Sequence, residues 1–368
     1  MSKDLAMKVG MLVCSGTGAK KNIGDYIQSL CAEVFFDEID VLVERESLNE
    51  YSSQEKTVLL MNAWYMWHPE NWPPSEDIIP LMTSIHINFA CKEKMLQGEG
   101  YEFFKKHEPI GCRDLGTLDI LKRKGIDSYF SGCLTLTLGE KFFAENRNDQ
   151  FFFVDPYYEC ISGKSRFSFR NTLIPLVYGI KNFKRIKPLF PIFAFTSKLS
   201  FLSILLGKVE RFIQVAAFYK TYSSTFADSV LFNAKYLSHI VLQKDYQTEQ
   251  EKLEYARHLL SLYSSCKCMV TSRIHAALPA IGMDTPTIFV TSDFLNDSVE
   301  LSRNGGRFGG LIDFFNVIRY ENFDLQPDGE LPGFIEPDTA LRNKDNHLDI
   351  KRQLIEICKT FIERNYKR

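Results

Sequence analysis

An arginine and a histidine two residues apart, directly after a strand-like run, are the residues of this sequence best placed for chemistry. They are Arg273 and His275, in the stretch YSSCKCMVTSRIHAALPAIGMDTPTIFV from Tyr263 to Val290. The pattern predicts helix, strand, sharp turn, helix and strand, and the helix before it shows Leu253, Ala256, Leu260 and Tyr263 on one face. In an open parallel sheet, ligands sit beyond the carboxyl ends of strands, and the turn after Thr271 lies there. Ser272 reads as the N-cap, which puts Arg273 and His275 in the first helical turn, where free amides and the dipole favour an anion. Two cationic side chains in that turn call for a phosphate or carboxylate. Arg273 would grip it bidentately, and the anion would favour a protonated His275. Pro279 removes the amide that would bond the His275 carbonyl, so the helix should bend close to the site.

Further candidates surround this turn. Asp25 follows Asn22, Ile23 and Gly24 at the mouth of a glycine-containing loop, either as a reactive carboxylate or as the cap of a helix from Tyr26. His239, just before a strand-like run, either joins His275 as a proton-transfer candidate, because imidazole works in both directions near neutral pH, or is a satisfied core or loop histidine. Arg113 ends a strand-like run, and Arg307 lies in Gly305–Gly306–Arg307–Phe308–Gly309–Gly310, where glycines allow close approach of backbone to an anion; a flexible surface loop remains the other reading. Trp64, Trp67 and Trp72 fall within nine residues and would either stack a sugar ring or seal a hydrophobic lid.

The elements that position these residues alternate. Strand-like runs at Lys8–Cys14, Ile39–Val43, Val58–Asn62, Ile85–Ala90, Ile110–Arg113 and Tyr129–Cys133 are separated by helical patterns such as Leu115–Lys124, closed by Gly125. A second series runs through Phe151–Asp155, Ile240–Leu242, Cys268–Thr271 and Thr287–Val290. Alternation of this kind predicts an α/β protein with two Rossmann-like lobes of parallel sheet. The expected division is residues 1–145, then 146–345, then a C-terminal helix within 346–368 that packs back on the first lobe. Residues 160–206 form a basic and apolar insertion in the second lobe, read either as a buried helix with a solvated basic face or as a contact with an anionic membrane surface.

Composition narrows the function. With 368 residues, 45% hydrophobic and 24% charged, the chain can build two cores, and a net charge of −2 gives no basic field for nucleic acid. The start lacks the apolar h-region of a signal peptide, so the expected location is the cytoplasm, with the inner face of the cell membrane as the place of any surface contact. Nine scattered cysteines read as reduced thiols, and Cys266 with Cys268 lacks the second pair a zinc site needs, so no metal is expected. Lys21 stands where a dinucleotide fingerprint would need its third glycine, and no Walker lysine motif is present.

The runs TSRIHAALPAIGMDTP, NIGDYIQSL, EPIGCRDLGTLDILK and YFSGCLTLTL together resemble the polysaccharide pyruvyl transferase family, over most of the chain except about residues 157–230. The resemblance implies a fold similar to the GT-B glycosyltransferases with the active site in the cleft between lobes. It also implies phosphoenolpyruvate as donor and co-substrate, no other cofactor, and a pyruvate ketal on a sugar of a capsular or other cell-surface polysaccharide precursor. The acceptor, lipid-linked or free, would belong to the first lobe with Asn22, Gly24, Asp25, Trp64 and Trp67. The donor would belong to the second, with Ser272, Arg273 and His275, assisted by Arg113 and Arg307. Two rival readings stay open: a GT-B glycosyltransferase using a nucleotide sugar, and a non-catalytic polysaccharide-assembly protein on the same scaffold.

Overall fold

Near-continuous apolar runs such as KVGMLV, TVLL and FFFV suit strands covered on both faces, and they form the centres of two parallel sheets. The computed structural model describes residues 7–16, 19–159, 169–193, 204–292 and 308–366. In the first sheet Val41–Glu44, Lys8–Val13, Thr57–Leu60 and Ile78–Leu81 lie side by side in that order, all parallel. The second has six strands in the order Lys235–Leu237, Phe151–Val154, Cys268–Thr271, Thr287–Thr291, Asn316–Glu321 and Asp324–Pro327; only the last pair is antiparallel. The protein is therefore a mixed α/β fold with parallel sheets of Rossmann-like character.

One apolar cluster joins residues from both sheets, including Val9, Met11 and Val58 with Phe152, Met269 and Phe289. The helix Glu249–Ser265 feeds it with Leu253, Ala256, Leu260 and Tyr263, and starts on a reciprocal capping box between Thr248 and Glu251. The C-terminal helix Leu348–Asn365 contributes Leu354 and Cys358, and beyond its end Tyr366 meets Phe36 edge-on at 5.6 Å.

Two strand expectations need correction, and two edge strands were not expected. Ile240–Leu242 does not join the second sheet; it runs antiparallel to Lys20–Asn22. The cause lies just upstream, where the His239 amide bonds Asp155 Oδ2 and the His239 carbonyl accepts from the Ile23 amide, drawing the chain away from its own sheet. Ile85–Ala90 contains only a two-residue strand, His86–Ile87, because Asn88 caps a short turn at Phe89–Cys91. Asn316–Glu321 and Asp324–Pro327, two polar edge strands, lack an apolar run that would have announced them.

The described part of the basic and apolar segment is helical: Phe169–Lys181, Phe183–Ile186 and Leu189–Ile192, followed by Ile204–Tyr222. Residues 160–168 and 194–203 lie outside the described residues. Among the described residues no helix is long and apolar enough to cross a membrane.

Candidate functional site

Strand ends from both sheets open onto one cavity of about 1180 Å³. Cys14 and Ser15, Arg45, Asp155, His239, and Ser272 with Arg273 each follow a strand and line it, together with Glu44 at a strand's last position and Asn22, Asp25, Trp64, His86, Arg113 and His275. Ligand-binding groups gather beyond carboxyl ends of parallel strands because the loops there are free of ladder pairing and face the same side.

The Arg273 turn differs from the sequence expectation by one position. Ser272 is not the N-cap. Its hydroxyl donates to the Val290 carbonyl at 2.5 Å and accepts from the Tyr157 amide at 2.8 Å, so the neighbouring strand and loop occupy it. Arg273 takes the cap position instead, with its amide on Thr271 Oγ1 at 3.0 Å, and the helix runs Ile274–Gly282 with Pro279 inside it. His275 remains in the first helical turn and is buried against the cavity. Arg273 extends into the cavity with Nε held by Asp155 Oδ2 at 2.9 Å. Among the described residues this Nε contact leaves the two terminal nitrogens for an anion, in the fork geometry that suits carboxylate or phosphate.

Asp155 thus orients two groups, since the same oxygen accepts from the His239 amide at 2.9 Å. It has φ of 40°, a left-handed conformation that aspartate tolerates better than most residues. His239 itself is buried, with Nε2 hydrogen-bonded to Tyr263 Oη at 2.7 Å. Burial pushes its pKa down from 6.5 to about 4, with Asp155 opposing and Arg273 reinforcing the shift. Folding therefore holds this ring neutral while the unfolded chain takes a proton below pH 6.5. The sign follows: stability contributed by the neutral ring is present above pH 6.5 and is lost as the pH falls toward about 4, by about 3 kcal/mol. Urea unfolding between pH 7 and 4 is expected to show this loss, and His239→Gln to flatten it; an identical pH dependence in the variant would contradict it.

Gly24 brings the two halves of the site together. A Cβ there would lie 3.1 Å from Asn22 Oδ1, 3.2 Å from His239 Nδ1 and 3.2 Å from His275 Cβ, closer than side chains ordinarily sit. Only glycine admits both imidazoles this near the helix start. Asn22 caps that helix, Ile23–Ser29, by accepting from the Gly24 amide, so Asp25 is not the cap but a first-turn residue facing the cavity.

Asp25 sits 3.6 Å from Arg45 Nη1, its side chain about a quarter exposed at 24%. Recess into the cavity wall raises its pKa, against the opposing pull of Arg45 and then Arg113. Arg113 is buried, and its Nε lies 3.6 Å from Asp114 Oδ2 with no hydrogen bond among the described residues. Asp114 caps the helix Leu115–Arg123 through the Thr117 amide and holds His86 Nδ1 at 2.5 Å. His86 and Asp114 hence form a buried pair beside Arg113 in the cavity wall. Cys14 contributes no nucleophile, because burial pushes its thiol up to about 12.

The tryptophans divide. Trp72 is packed against Phe104, Phe103 and Tyr65 in the core. Trp64 and Trp67 line the cavity with ring centres 4.7 Å apart, Trp67 being 67% exposed and Arg45 lying over Trp64. Arg307 falls outside the described residues; its neighbour Phe308 does line the cavity. Of the sequence candidates, His239, His275, Asp25, Arg273, Ser272, Arg113, Asn22, Trp64 and Trp67 share this one cavity, with Gly24 directly behind it. Arg45, His86, Asp114 and Asp155 are the participants that the motifs did not single out; of these, Arg45, Asp114 and Asp155 each adjoin a strand end, the one available signal.

Fold and site define an α/β protein whose parallel strands end on a cavity lined by arginines, histidines and carboxylates. The chain belongs to the polysaccharide pyruvyl transferase family, whose model matches residues 92–293, more than half of its length. Membership makes it a transferase of polysaccharide biosynthesis, with a polysaccharide acceptor. The matched stretch holds Arg113, Asp155, His239, Arg273 and His275, while Asn22, Gly24 and Asp25 precede it. No curated protein and no solved structure matches the chain.

Proposed function

We propose that the protein transfers the pyruvyl group of phosphoenolpyruvate to a sugar of a cell-surface polysaccharide precursor, forming a pyruvate ketal and releasing phosphate. The observation that carries this reading is the meeting of Arg273, Arg113, His275 and Asp25 in one cavity of a member of this family. Two arginines beside a helix start suit a donor that bears both a carboxylate and a phosphate. In this reading the two sheets belong to two lobes of a GT-B-like arrangement, joined near residue 145, with the donor against Arg273 and the acceptor against Trp64, Trp67 and the Asn22–Asp25 helix start. Asn22 serves through the cap it provides, and the tryptophan faces meet the apolar side of a sugar ring.

The chemistry starts at the methylene carbon of the donor. Asp25, whose pKa its recess raises, is the proton donor in this reading and delivers a proton there, which creates an oxocarbenium-like centre at the adjoining carbon. A sugar hydroxyl adds to that centre and gives up its proton; the carbon–oxygen bond to phosphate then breaks. A second hydroxyl of the same sugar closes the ring and its proton leaves with the released phosphate. His275 and Arg273 hold the phosphate charge as it develops, and His239, neutral and fixed to Tyr263 and Asp155, positions the wall around Gly24 and is available as a base. Phosphoenolpyruvate is a co-substrate, and no further cofactor enters these steps. The acceptor is carried on lipid at the inner face of the membrane.

Incubation with phosphoenolpyruvate and a polysaccharide precursor should release phosphate only when both are present, and should raise the acceptor mass by pyruvate less one water. A precursor that gains a hexose from a nucleotide sugar, with phosphoenolpyruvate inert, would contradict the reading.

A further inference from the structure

Surface helices ordinarily turn their apolar stripe inward. The helix Phe169–Lys181 turns one outward. Its inward side packs on the helix Ile204–Tyr222: Pro175 and Gly179 are buried, Tyr178 meets Tyr219, and a Cβ at Gly179 would stand 2.8 Å from Ala216 and from the Phe212 ring, so the backbones approach closely there. Leu173, Ile174, Val177 and Ile180 lie at helical spacing on the opposite face, Val177 being 42% and Ile180 64% exposed, and Phe183 continues the patch at 48%. Exposed Arg170, Lys181, Lys184 and Lys187 surround it, while Arg185 is taken by Asp228 at 2.8 Å. From Cys160 to Val209 the sequence has nine lysines or arginines and no aspartate or glutamate.

We propose that this face docks on an anionic lipid bilayer, the apolar stripe entering the headgroup boundary and the lysines lying on lipid phosphates. A contiguous exposed apolar patch marks an interaction surface, and a rim in which Arg170, Lys181, Lys184 and Lys187 outnumber the one acid that pairs with Arg185, Asp228, selects a negative partner. A second copy of this chain is disfavoured as the occupant, because pairing the face with itself would bring like charges together. The docked layer reaches the cavity: Tyr158 lines the cavity and packs edge-on against Phe193 and Phe218 of the same layer. Docking would thus bring the cavity rim toward a lipid-carried acceptor. That last point rests on the pyruvyl-transfer reading, whereas the surface does not, and its test uses no donor.

The full chain is sedimented with vesicles of phosphatidylcholine alone and of phosphatidylcholine mixed with phosphatidylglycerol. Pelleting with the mixed vesicles, weakened by salt, is expected. Lys181→Gln with Lys184→Gln should weaken it about thirtyfold, and Val177→Asp with Ile180→Asp should abolish it, each with unchanged circular dichroism. Equal pelleting of either folded double variant, or failure of the unaltered chain to pellet with mixed vesicles, would overturn the proposal. So would lipid-free self-association that the aspartate pair abolishes.

Discussion

Asp25→Asn is expected to lower turnover about 10²- to 10⁴-fold while phosphoenolpyruvate still binds, because an amide keeps the shape but carries no transferable proton. The size of the effect comes from the position of the carboxyl. Recess in the cavity wall raises its pKa, Arg45 and Arg113 only partly offset this, and a bound anionic donor adds a further push in the same direction. In the proposed first step the protonated form is the working one, so activity should decline as the pH rises through that raised pKa. The same sign governs stability. A carboxyl whose folded pKa lies above its unfolded value favours the fold below the unfolded value and loses that contribution as pH rises through the folded one. At neutral pH the asparagine variant should therefore melt no lower than the parent. Single-turnover phosphate release with donor affinity measured separately distinguishes the cases: normal turnover in a folded variant removes Asp25 from the mechanism.

Arg273→Ala is expected to weaken donor binding about 10- to 150-fold, the loss of a charge-assisted hydrogen bond. Among the described residues Asp155 grips Nε, at 2.9 Å, and the rest of the guanidinium is presented ready-oriented to the cavity. Arg273→Lys keeps the charge and loses the planar fork, and should recover only part of the affinity. The alanine also frees Asp155, which still holds the His239 amide. The loop is therefore expected to stay folded, and unchanged donor affinity in the folded variant would remove Arg273 from the site.

Local pattern explains what the sequence discloses here. Alternating apolar runs and helical faces are short-range signals, so the central strands of both sheets and the turn after Thr271 are legible in the chain itself, whereas Ile78–Leu81, Lys235–Leu237, Asn316–Glu321 and Asp324–Pro327 are not. The motif residues Asn22, Arg113, Arg273 and His275 then meet in space because each adjoins a strand or helix end. Contacts between distant segments are a different matter. Ser272 gives up its cap role to Val290 and Tyr157, the latter 115 residues away. Asp155 finds His239 and Arg273 across 84 and 118 residues, and His86 finds Asp114 across 28. The tryptophan cluster reads as one group in sequence, yet Trp72 is drawn into the core by Phe103 and Phe104 while Trp64 and Trp67 stay on the cavity. Ile240–Leu242 has a strand's composition, but its partner is chosen by the His239 backbone bonds that precede it.

Calorimetric titration of the purified chain with phosphoenolpyruvate, beside a panel of nucleotide sugars and with Arg273→Ala as control, tests the central claim most directly. Saturable binding of phosphoenolpyruvate that the variant loses is the predicted result. Binding of a nucleotide sugar alone, with no heat from phosphoenolpyruvate, would contradict pyruvyl transfer from this cavity.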